Sequence, residues 1–372
     1  MNLFLGVSSS IVLIICLIVI LVMFLKKHDE KKNEQDVLNF FEKNPNKSSI
    51  CFIQNDVIIL DYSSNNPMPL ASTVKVIIAI AYANKVNEKK LAHDSLVPLS
   101  ELNKYYISKT DGNAHEEWLS YLDENSLIYN NSVELNQIVK GMIRFSSNAN
   151  TEYLISIIGL KFINDLLKEL SLESHEEIFP ISSSFMVAAY LKENEKLNGK
   201  EILLRLKMMA NEEFIEISKK IHNLCHENDN YISSRRYKNI SSNNGIQRVI
   251  SNKMTRASTY DYANVMNKIN SKNYFPPEIE RILLDVLDIP SKANSQFYRV
   301  GYKGGSTLFI NTNALYVTDT QGNRFALAIF IHDEEMVDIL WLNKKIEKFI
   351  SRILKDVYFR EDVISRLSFL KC

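Results

Sequence analysis

The stretch PLASTVKVIIAIAYANKV, residues 69–86, decides how this sequence folds. Its apolar residues lie on nearly all sides of a helical projection, and the β-branched ones do not interrupt the run. This composition predicts a buried helix that starts near Ser72. Ser72 and Lys75 are three positions apart, so a helix places the hydroxyl and the amine on one face. A polar loop, residues 63–69, precedes this helix and leaves room for a site at its start.

The pair Ser72 and Lys75 allows two interpretations. A serine can simply cap a helix, and a lysine can extend along its surface. In a catalytic site, the serine hydroxyl needs a base within hydrogen-bond reach, and a lysine serves when burial and nearby positive charge lower its pKa. The N–H groups at the start of the helix would favour an oxyanion. Because S-x-x-K is common by chance, the pair needs support from other motifs.

Two further motifs follow along the chain. Ser146-Ser147-Asn148 stands at the head of a helix, where serine and asparagine are also ordinary caps. The run GYKGGS, residues 301–306, precedes a predicted strand. Glycines weaken a strand unless something approaches its backbone closely, as a substrate on an edge strand would. The alternative for the glycines is a bulge or a hairpin corner.

Strand patterns occur at both ends of the chain. Residues 49–62 contain two β-rich runs around Asn55-Asp56, a hairpin signal, and residues 298–303, 308–318 and 324–332 predict three more strands. Residues 151–170 predict a helix broken by Gly159, and helices are also expected at residues 254–269 and about 335–357. We therefore predict an α+β fold, in which an antiparallel sheet formed by both chain ends packs against a mainly helical region.

Taken together, the motifs resemble those of the penicillin-recognising serine enzymes, and of class A β-lactamases in particular: S-x-x-K, then S-x-N, then K-[ST]-G on an edge strand. The resemblance covers residues 49–170 and about 254–357. It implies that Ser72 attacks the substrate carbonyl carbon and that Lys75 takes or relays the proton. Ser146 would pass a proton to the leaving nitrogen.

The same resemblance implies the substrate-binding residues. Asn148 would bind the substrate amide, and Lys303 would supply positive charge for a substrate carboxylate and for tuning Lys75. Gly305 and Ser306 would line the substrate-binding site. The oxyanion hole would consist of the backbone N–H groups of Ser72 and Ser306.

Two departures from the family pattern bear on activity. Gly304 stands where the family has serine or threonine, so a hydroxyl is missing unless Ser306 or Thr307 replaces it. No E-x-x-x-N segment precedes residue 254 at the place where class A enzymes carry the glutamate that activates the deacylating water. Glu176 and Glu177 are the nearest candidates, with Glu177 the possible base, although both can equally be solvated loop charges.

The resemblance implies a serine hydrolase that acts on β-lactams or related amides through an acyl-enzyme. The alternatives are a penicillin-binding-protein-like peptidase, an esterase of the same fold, or a non-catalytic, membrane-tethered binding or sensor relative. We expect a small-molecule or peptidoglycan-type substrate and no cofactor; the oligomeric state stays open. With 44 basic and 44 acidic residues the formal net charge is zero, so nucleic-acid binding is not expected. His222, Cys225 and His226 lack a further ligand nearby, and we expect no metal site.

The amino terminus predicts a membrane anchor. Residues 4–25 carry no charge and are long enough to cross a bilayer, so we assign residues 1–27 to a single transmembrane segment, 28–47 to a polar stalk, and 48–372 to the catalytic domain with an insertion at 173–253. The catalytic interpretation places the domain outside the cytoplasm of a bacterial cell. The basic cluster Lys26, Lys27, Lys31 and Lys32 predicts the opposite orientation.

Overall fold

The computed structural model describes residues 27, 29–108, 110–228, 231–232, 243–271, 273–290 and 295–368. The predicted transmembrane segment therefore lies, but for Lys27, outside the described residues. Within the described ranges, every helix is too short or too polar to cross a membrane. The chain divides into two compact units, Asn46–Glu335 and the paired ends Met1–Pro45 and Met336–Cys372.

The larger unit contains a five-stranded antiparallel sheet in the order β2-β1-β9-β8-β7. Its strands are β1 (Ser48–Gln54), β2 (Val57–Tyr62), β7 (Phe297–Ser306), β8 (Ile310–Asp319) and β9 (Arg324–His332). Asn55 and Asp56 join β1 to β2 with φ of 49° and 68°, as a two-residue hairpin turn requires. The predicted α+β fold, with one sheet built from both parts of the sequence, is confirmed.

Two short pairs of strands complete the β structure of this unit: β3 (Met68–Pro69) with β6 (Arg256–Ala257), and β4 (Leu96–Pro98) with β5 (Ser132–Glu134). A 3₁₀ turn, Ala71–Val74, leads into the first long helix. The helices up to the insertion are α2 (Lys75–Asn87), α3 (Leu99–Asn103), α4 (Ala114–Glu124), α5 (Leu135–Lys140), α6 (Asn148–Ile158) and α7 (Leu160–Glu169).

Helix α2 is the centre of the larger core. Its side chains from Val76 to Ala83 are at most 1% exposed, because α6, α7 and α14 (Pro277–Leu287) surround it. A helix that is apolar on all sides is stable only in such a position. On the sheet, α13 (Thr259–Asn270) packs against β1, β8 and β9. The prediction of a buried helix is confirmed. Packing of α2 in the core also fixes the position of Lys75, the first residue of this helix.

Two of the predicted helices have boundaries set by caps and glycine. The helix expected at residues 254–269 begins only at Thr259, because Arg256–Ala257 pairs with β3 and the Ser258 hydroxyl accepts a hydrogen bond from the Asp261 amide at 3.1 Å. The predicted break at Gly159 is confirmed: its φ of 89° separates α6 from α7.

The segment predicted as an insertion has five helices among its described residues: α8 (Ile181–Phe185), α9 (Val187–Asn194), α10 (Gly199–Met208), α11 (Asn211–Glu227) and α12 (Asn244–Asn252). Apolar side chains such as Phe214 and Ile221 form a second buried cluster. Tyr105, Ile107 and Ala149, outside the insertion, belong to the same cluster. The segment predicted as an insertion thus shares a core with the loop before α4 and with the helix that follows Ser146.

The smaller unit consists of α1 (Glu34–Lys43), α15 (Ile339–Lys355) and α16 (Val357–Ser368). The segment predicted as a polar stalk therefore contains a helix. Phe41 of α1 stacks on Phe349 of α15 with ring centroids 5.7 Å apart, and Phe40 meets Trp341 edge-on at 6.2 Å. An ion pair between Arg366 and Glu42 joins α16 to α1.

Candidate active site

Ser72 lies in the 3₁₀ turn that precedes α2, and Lys75 is the first residue of that helix. The Lys75 backbone N–H donates to the Ser72 carbonyl. In a 3₁₀ turn, side chains three positions apart eclipse one another, so both point the same way. Ser72 is half-buried, whereas Lys75 is completely buried. Ser72 is therefore partly accessible from the surface, whereas the amine of Lys75 lies beneath it.

The turn before Ser72 has an unusual backbone that strand β8 holds in place. Ala71 adopts φ of 46°, a left-handed conformation that is uncommon for alanine. The Thr312 hydroxyl donates to the Leu70 carbonyl at 2.7 Å and lies 2.6 Å from the Thr73 hydroxyl. These bonds connect both sides of the turn to the sheet. Thr312 therefore holds the backbone conformation that sets the direction of the Ser72 side chain.

Ser146 is presented by a second strained turn. One turn of π-helix, Gly141–Phe145, ends at Ser146, whose φ is 73°. Such π turns are frequent at functional sites because they turn one residue out of the helical path. Gly141 permits the tight packing behind the turn, since a Cβ there would lie 2.2 Å from Asn150 Nδ2.

The Ser146 hydroxyl lies between two lysine amines. Its Oγ is 3.0 Å from Lys303 Nζ and 3.3 Å from Lys75 Nζ. Lys75 Nζ also donates to the Ser146 carbonyl at 2.6 Å and to Asn148 Oδ1 at 2.9 Å. A neutral amine has two N–H groups and one lone pair, and the two shorter bonds, both to carbonyl-type oxygens, use both N–H groups. In its neutral form, Lys75 would therefore keep its lone pair available for a hydroxyl proton.

Asn148 is held by the loop before α4. Its backbone N–H donates to Asp111 Oδ2 at 3.2 Å, and its Nδ2 lies 3.4 Å from the Thr110 carbonyl. These contacts orient the side-chain oxygen toward Lys75. Neither Thr110 nor Asp111 is marked by any motif in the sequence.

Burial changes the protonation of both lysines. Desolvation, followed by the positive charge of Lys303, holds the pKa of Lys75 well below its ordinary value. Burial alone lowers the pKa of Lys303 to about 7. Lys303 Nζ donates to the Gly304 carbonyl at 2.8 Å as well as to Ser146. Burial and the neighbouring positive charge therefore favour the uncharged amine form of Lys75, which has the chemistry of a general base.

Strand β7 passes directly beside Ser72. A Cβ on Gly305 would lie 2.5 Å from the Ser72 backbone nitrogen and 2.7 Å from the Leu70 carbonyl oxygen, so only glycine permits this approach. The next residue, Ser306, ends the strand and is exposed. The close approach places Gly305 directly beside the backbone nitrogen of Ser72, one of the two amides of the predicted oxyanion hole.

Glu176 and Glu177 are engaged elsewhere. Glu177 is exposed and forms an ion pair with Lys219 at 2.8 Å, and Glu176 Oε2 accepts from the Arg256 backbone N–H at 3.1 Å. The structure thus brings together Ser72, Lys75, Ser146, Asn148, Lys303 and Gly305. Among the described residues, no hydrogen bond connects Glu177 with this group.

His222 and His226 are engaged in other contacts, and Cys225 is a free cysteine buried in the second cluster. His222 Nδ1 pairs with the buried Glu152 at 2.5 Å, and His226 Nδ1 lies 3.1 Å from the Tyr105 hydroxyl. Glu152 also accepts from the Ser183 backbone N–H at 3.0 Å, which ties the insertion to α6. Across the described ranges, no group of three or more His, Cys, Asp or Glu side chains is arranged to hold a metal ion.

The chain belongs to the β-lactamase enzyme family, whose sequence model matches residues 32–360. It resembles a solved β-lactamase from Chitinophaga pinensis (TM-score 0.52, 14% identity, 81% of this chain and 91% of that one). It also resembles a β-lactamase from Sphaerobacter thermophilus (TM-score 0.51, 14% identity, 81% and 88%) and the extended-spectrum β-lactamase TLA-1 (TM-score 0.50, 13% identity, 83% and 94%). At these identities the likeness concerns the fold. No curated protein matches the chain.

Proposed function

We propose that this protein is a serine acyl-transfer hydrolase that forms an acyl-enzyme at Ser72 with β-lactams or related amides. One observation carries the proposal: the Ser146 hydroxyl lies between the amines of Lys75 and Lys303, beside the turn that bears Ser72. A buried lysine with a lowered pKa, three residues from a half-buried serine in the same turn, is an arrangement that can activate a hydroxyl nucleophile.

In the proposed step, Ser72 Oγ bonds to the carbonyl carbon while Lys75 accepts the hydroxyl proton. The negative charge that develops on the carbonyl oxygen is stabilised by the amides of Ser72 and Ser306. When the tetrahedral intermediate collapses, the C–N bond breaks and its electron pair stays on nitrogen. Ser146 gives its proton to that nitrogen and regains one from Lys75, which returns the amine to its neutral form.

Release of the acyl group is the slower half of the proposed cycle. Hydrolysis needs a base that activates a water molecule, and Glu177 is exposed and paired with Lys219. This pairing favours long-lived acylation of the kind expected for the penicillin-binding-protein-like alternative over fast β-lactam turnover. Acylation itself requires only the residues around Ser146.

A fluorescent penicillin tests the proposal. The full chain should form a covalent, denaturation-resistant adduct that is lost in Ser72→Ala and retained in Ser120→Ala, an exposed serine on α4 that serves as the matched control. Labelling of Ser72→Ala at the wild-type rate, or no labelling of the wild-type chain after long incubation, would overturn the proposal.

A further inference from the structure

His222 of α11 contacts both elements that hold Asn148. It lies in the segment predicted as an insertion and is 6% exposed. Its Nδ1 is 2.5 Å from Oε2 of Glu152 on α6, and its ring stacks on Tyr105 in the loop before α4, with centroids 5.2 Å apart and an interplanar angle of 18°. One imidazole thus joins the helix that begins at Asn148 to the loop that binds the same residue.

Glu152 fastens the first turns of α6 to the segment predicted as an insertion. It follows Asn148 by four positions, about one helical turn, and its side chain is fully buried. Oε1 accepts from the Ser183 backbone N–H at 3.0 Å, and Oε2 accepts from His222. A buried carboxylate is costly unless its oxygens find donors. His222 therefore supplies one of the hydrogen bonds that keep this turn of α6 in place.

Tyr105 holds the loop before α4 against the same helix. It is buried within the second cluster, and its hydroxyl lies 3.1 Å from His226 Nδ1, one turn further along α11. Thr110 and Asp111 follow in this loop, and both contact Asn148. Movement of Tyr105 away from α11 would therefore disturb the two loop residues that hold Asn148.

The orientation of the Asn148 amide decides what it can bind. Its Oδ1 accepts from Lys75 Nζ at 2.9 Å, so the side-chain oxygen is already in use. Its Nδ2 carries two N–H groups, and its partner among the described residues is the Thr110 carbonyl at 3.4 Å. The second N–H is then available to an amide oxygen of a ligand. Its direction depends on the loop and the helix that His222 joins.

We propose that His222 is a positioning residue of the acylation site, through which the segment predicted as an insertion takes part in substrate recognition. By holding Glu152 and Tyr105, it keeps Asn148 in the orientation that donates to an amide carbonyl in the acyl side chain. The favoured substrates are then acyl donors that carry such an amide, as N-acylated penicillins do. The inference rests on the proposed acylation of Ser72.

The experiment compares the rates of Ser72 acylation by benzylpenicillin and by 6-aminopenicillanic acid, which has the same ring and carboxylate but no side-chain amide. His222→Phe keeps an aromatic ring beside Tyr105 and removes the N–H that Glu152 accepts. Acylation by benzylpenicillin should slow about tenfold, the effect of one lost hydrogen bond, and acylation by 6-aminopenicillanic acid by less than about twofold. The exposed His93 provides the matched control His93→Phe, which should leave both rates unchanged.

A double-mutant cycle separates positioning from a general loss of stability. Asn148→Ala removes the side chain that His222 positions, so adding His222→Phe to it should leave the ratio of the two rates unchanged. His222→Asn places an amide N–H near the position of Nδ1 and should restore part of the wild-type ratio. If His222→Phe does not fold, Tyr105→Leu gives the same measurement, because it leaves Glu152 paired.

Three results would count against the inference or its basis. An unchanged ratio in His222→Phe and Tyr105→Leu, or an equal loss with both substrates, would overturn the inference while the adduct at Ser72 still forms. A further fall in the ratio when His222→Phe is added to Asn148→Ala would also overturn it, because the effect would not pass through Asn148. Absence of any adduct in the wild-type chain would instead overturn the proposed function, and this inference with it.

Discussion

Lys303 Nζ lies 3.0 Å from Ser146 Oγ, so the amine on β7 and the hydroxyl at the head of α6 form one hydrogen-bonded unit. Both lysines of the site contact this hydroxyl, and both are buried. Two amines so close together cannot both stay protonated without strong repulsion. The protonation of the pair therefore governs both the stability and the reactivity of the site.

The first prediction concerns stability. The pKa of Lys303 is about 7 in the folded chain and near 10.5 in the unfolded one, so the unfolded state binds more protons between these values. Stability must then rise with pH across this window. We expect wild type to gain on the order of 3 kcal/mol relative to Lys303→Met between pH 7 and 10, measured by urea unfolding. A difference that stays constant over this range would contradict the lowered pKa.

The second prediction concerns the pH dependence of acylation. Lys75 must be neutral to accept the proton of Ser72, so the acylation rate should fall as pH drops through the lowered pKa of Lys75. Lys303→Met removes the positive charge that helps to lower the pKa of Lys75. The acid limb of the pH–rate profile, where the acylation rate falls, should therefore move to higher pH. Stopped-flow labelling gives the position of the limb. The exposed Lys90 provides the control Lys90→Met, which should leave the limb in place; an unshifted limb in Lys303→Met would argue against coupling.

The third prediction concerns Gly305. In Gly305→Ala the new Cβ would lie 2.5 Å from the Ser72 nitrogen, so the turn or the strand must move. Displacing one oxyanion donor lowers acyl-transfer rates by about a hundredfold or more, and we expect a loss of that size in penicillin labelling. Gly199→Ala, where a Cβ meets no atom within 4 Å, is the control. Normal labelling of Gly305→Ala would mean that the close approach is not needed.

The fourth prediction concerns Thr312. Thr312→Val keeps the shape but removes the hydroxyl that bonds to the Leu70 carbonyl, which then keeps only its hydrogen bond from the Thr73 backbone N–H. The free energy of unfolding should fall by about 1 kcal/mol, the net contribution of one hydrogen bond, and acylation should slow because the turn before Ser72 loosens. Thr312→Ser retains the hydroxyl and should recover the acylation rate. If valine and serine variants label equally fast, Thr312 does not position Ser72.

The fifth prediction concerns Glu177. Since Glu177 is exposed and paired with Lys219, Glu177→Gln should leave the lifetime of the acyl-enzyme within about twofold of wild type, the range expected of a surface ion pair. Lys219→Met removes the other partner of the same ion pair and serves as the control variant. Decay of the fluorescent adduct gives the lifetime. A lifetime lengthened many-fold by Glu177→Gln alone would restore this residue as the deacylation base.

The fold was predictable because its signals are local. Each of the sequence features that indicate the fold depends on only a few neighbouring residues. These features are the alternating strand patterns, the Asn55-Asp56 turn, the break at Gly159 and the fully apolar run after Lys75. The start of α13 was misplaced because its first residues pair with β3, a contact far away in sequence.

The site was predictable only where motifs mark it. Ser72, Lys75, Ser146 and Lys303 were found by spacing and order. Thr312 and Asp111 were missed, since a threonine within a strand and an aspartate before a glycine look ordinary until the chain folds. Their roles arise from contacts across the fold with the Leu70 carbonyl and the Asn148 amide.

Intact-mass spectrometry with peptide mapping shows whether Ser72 becomes acylated. A β-lactam keeps its leaving nitrogen after ring opening, so we expect a mass increase equal to the whole penicillin, located on the peptide that contains Ser72. Ser72→Ala should show no such increase. An unmodified wild-type chain, or an adduct located on a different residue, would contradict acylation of Ser72.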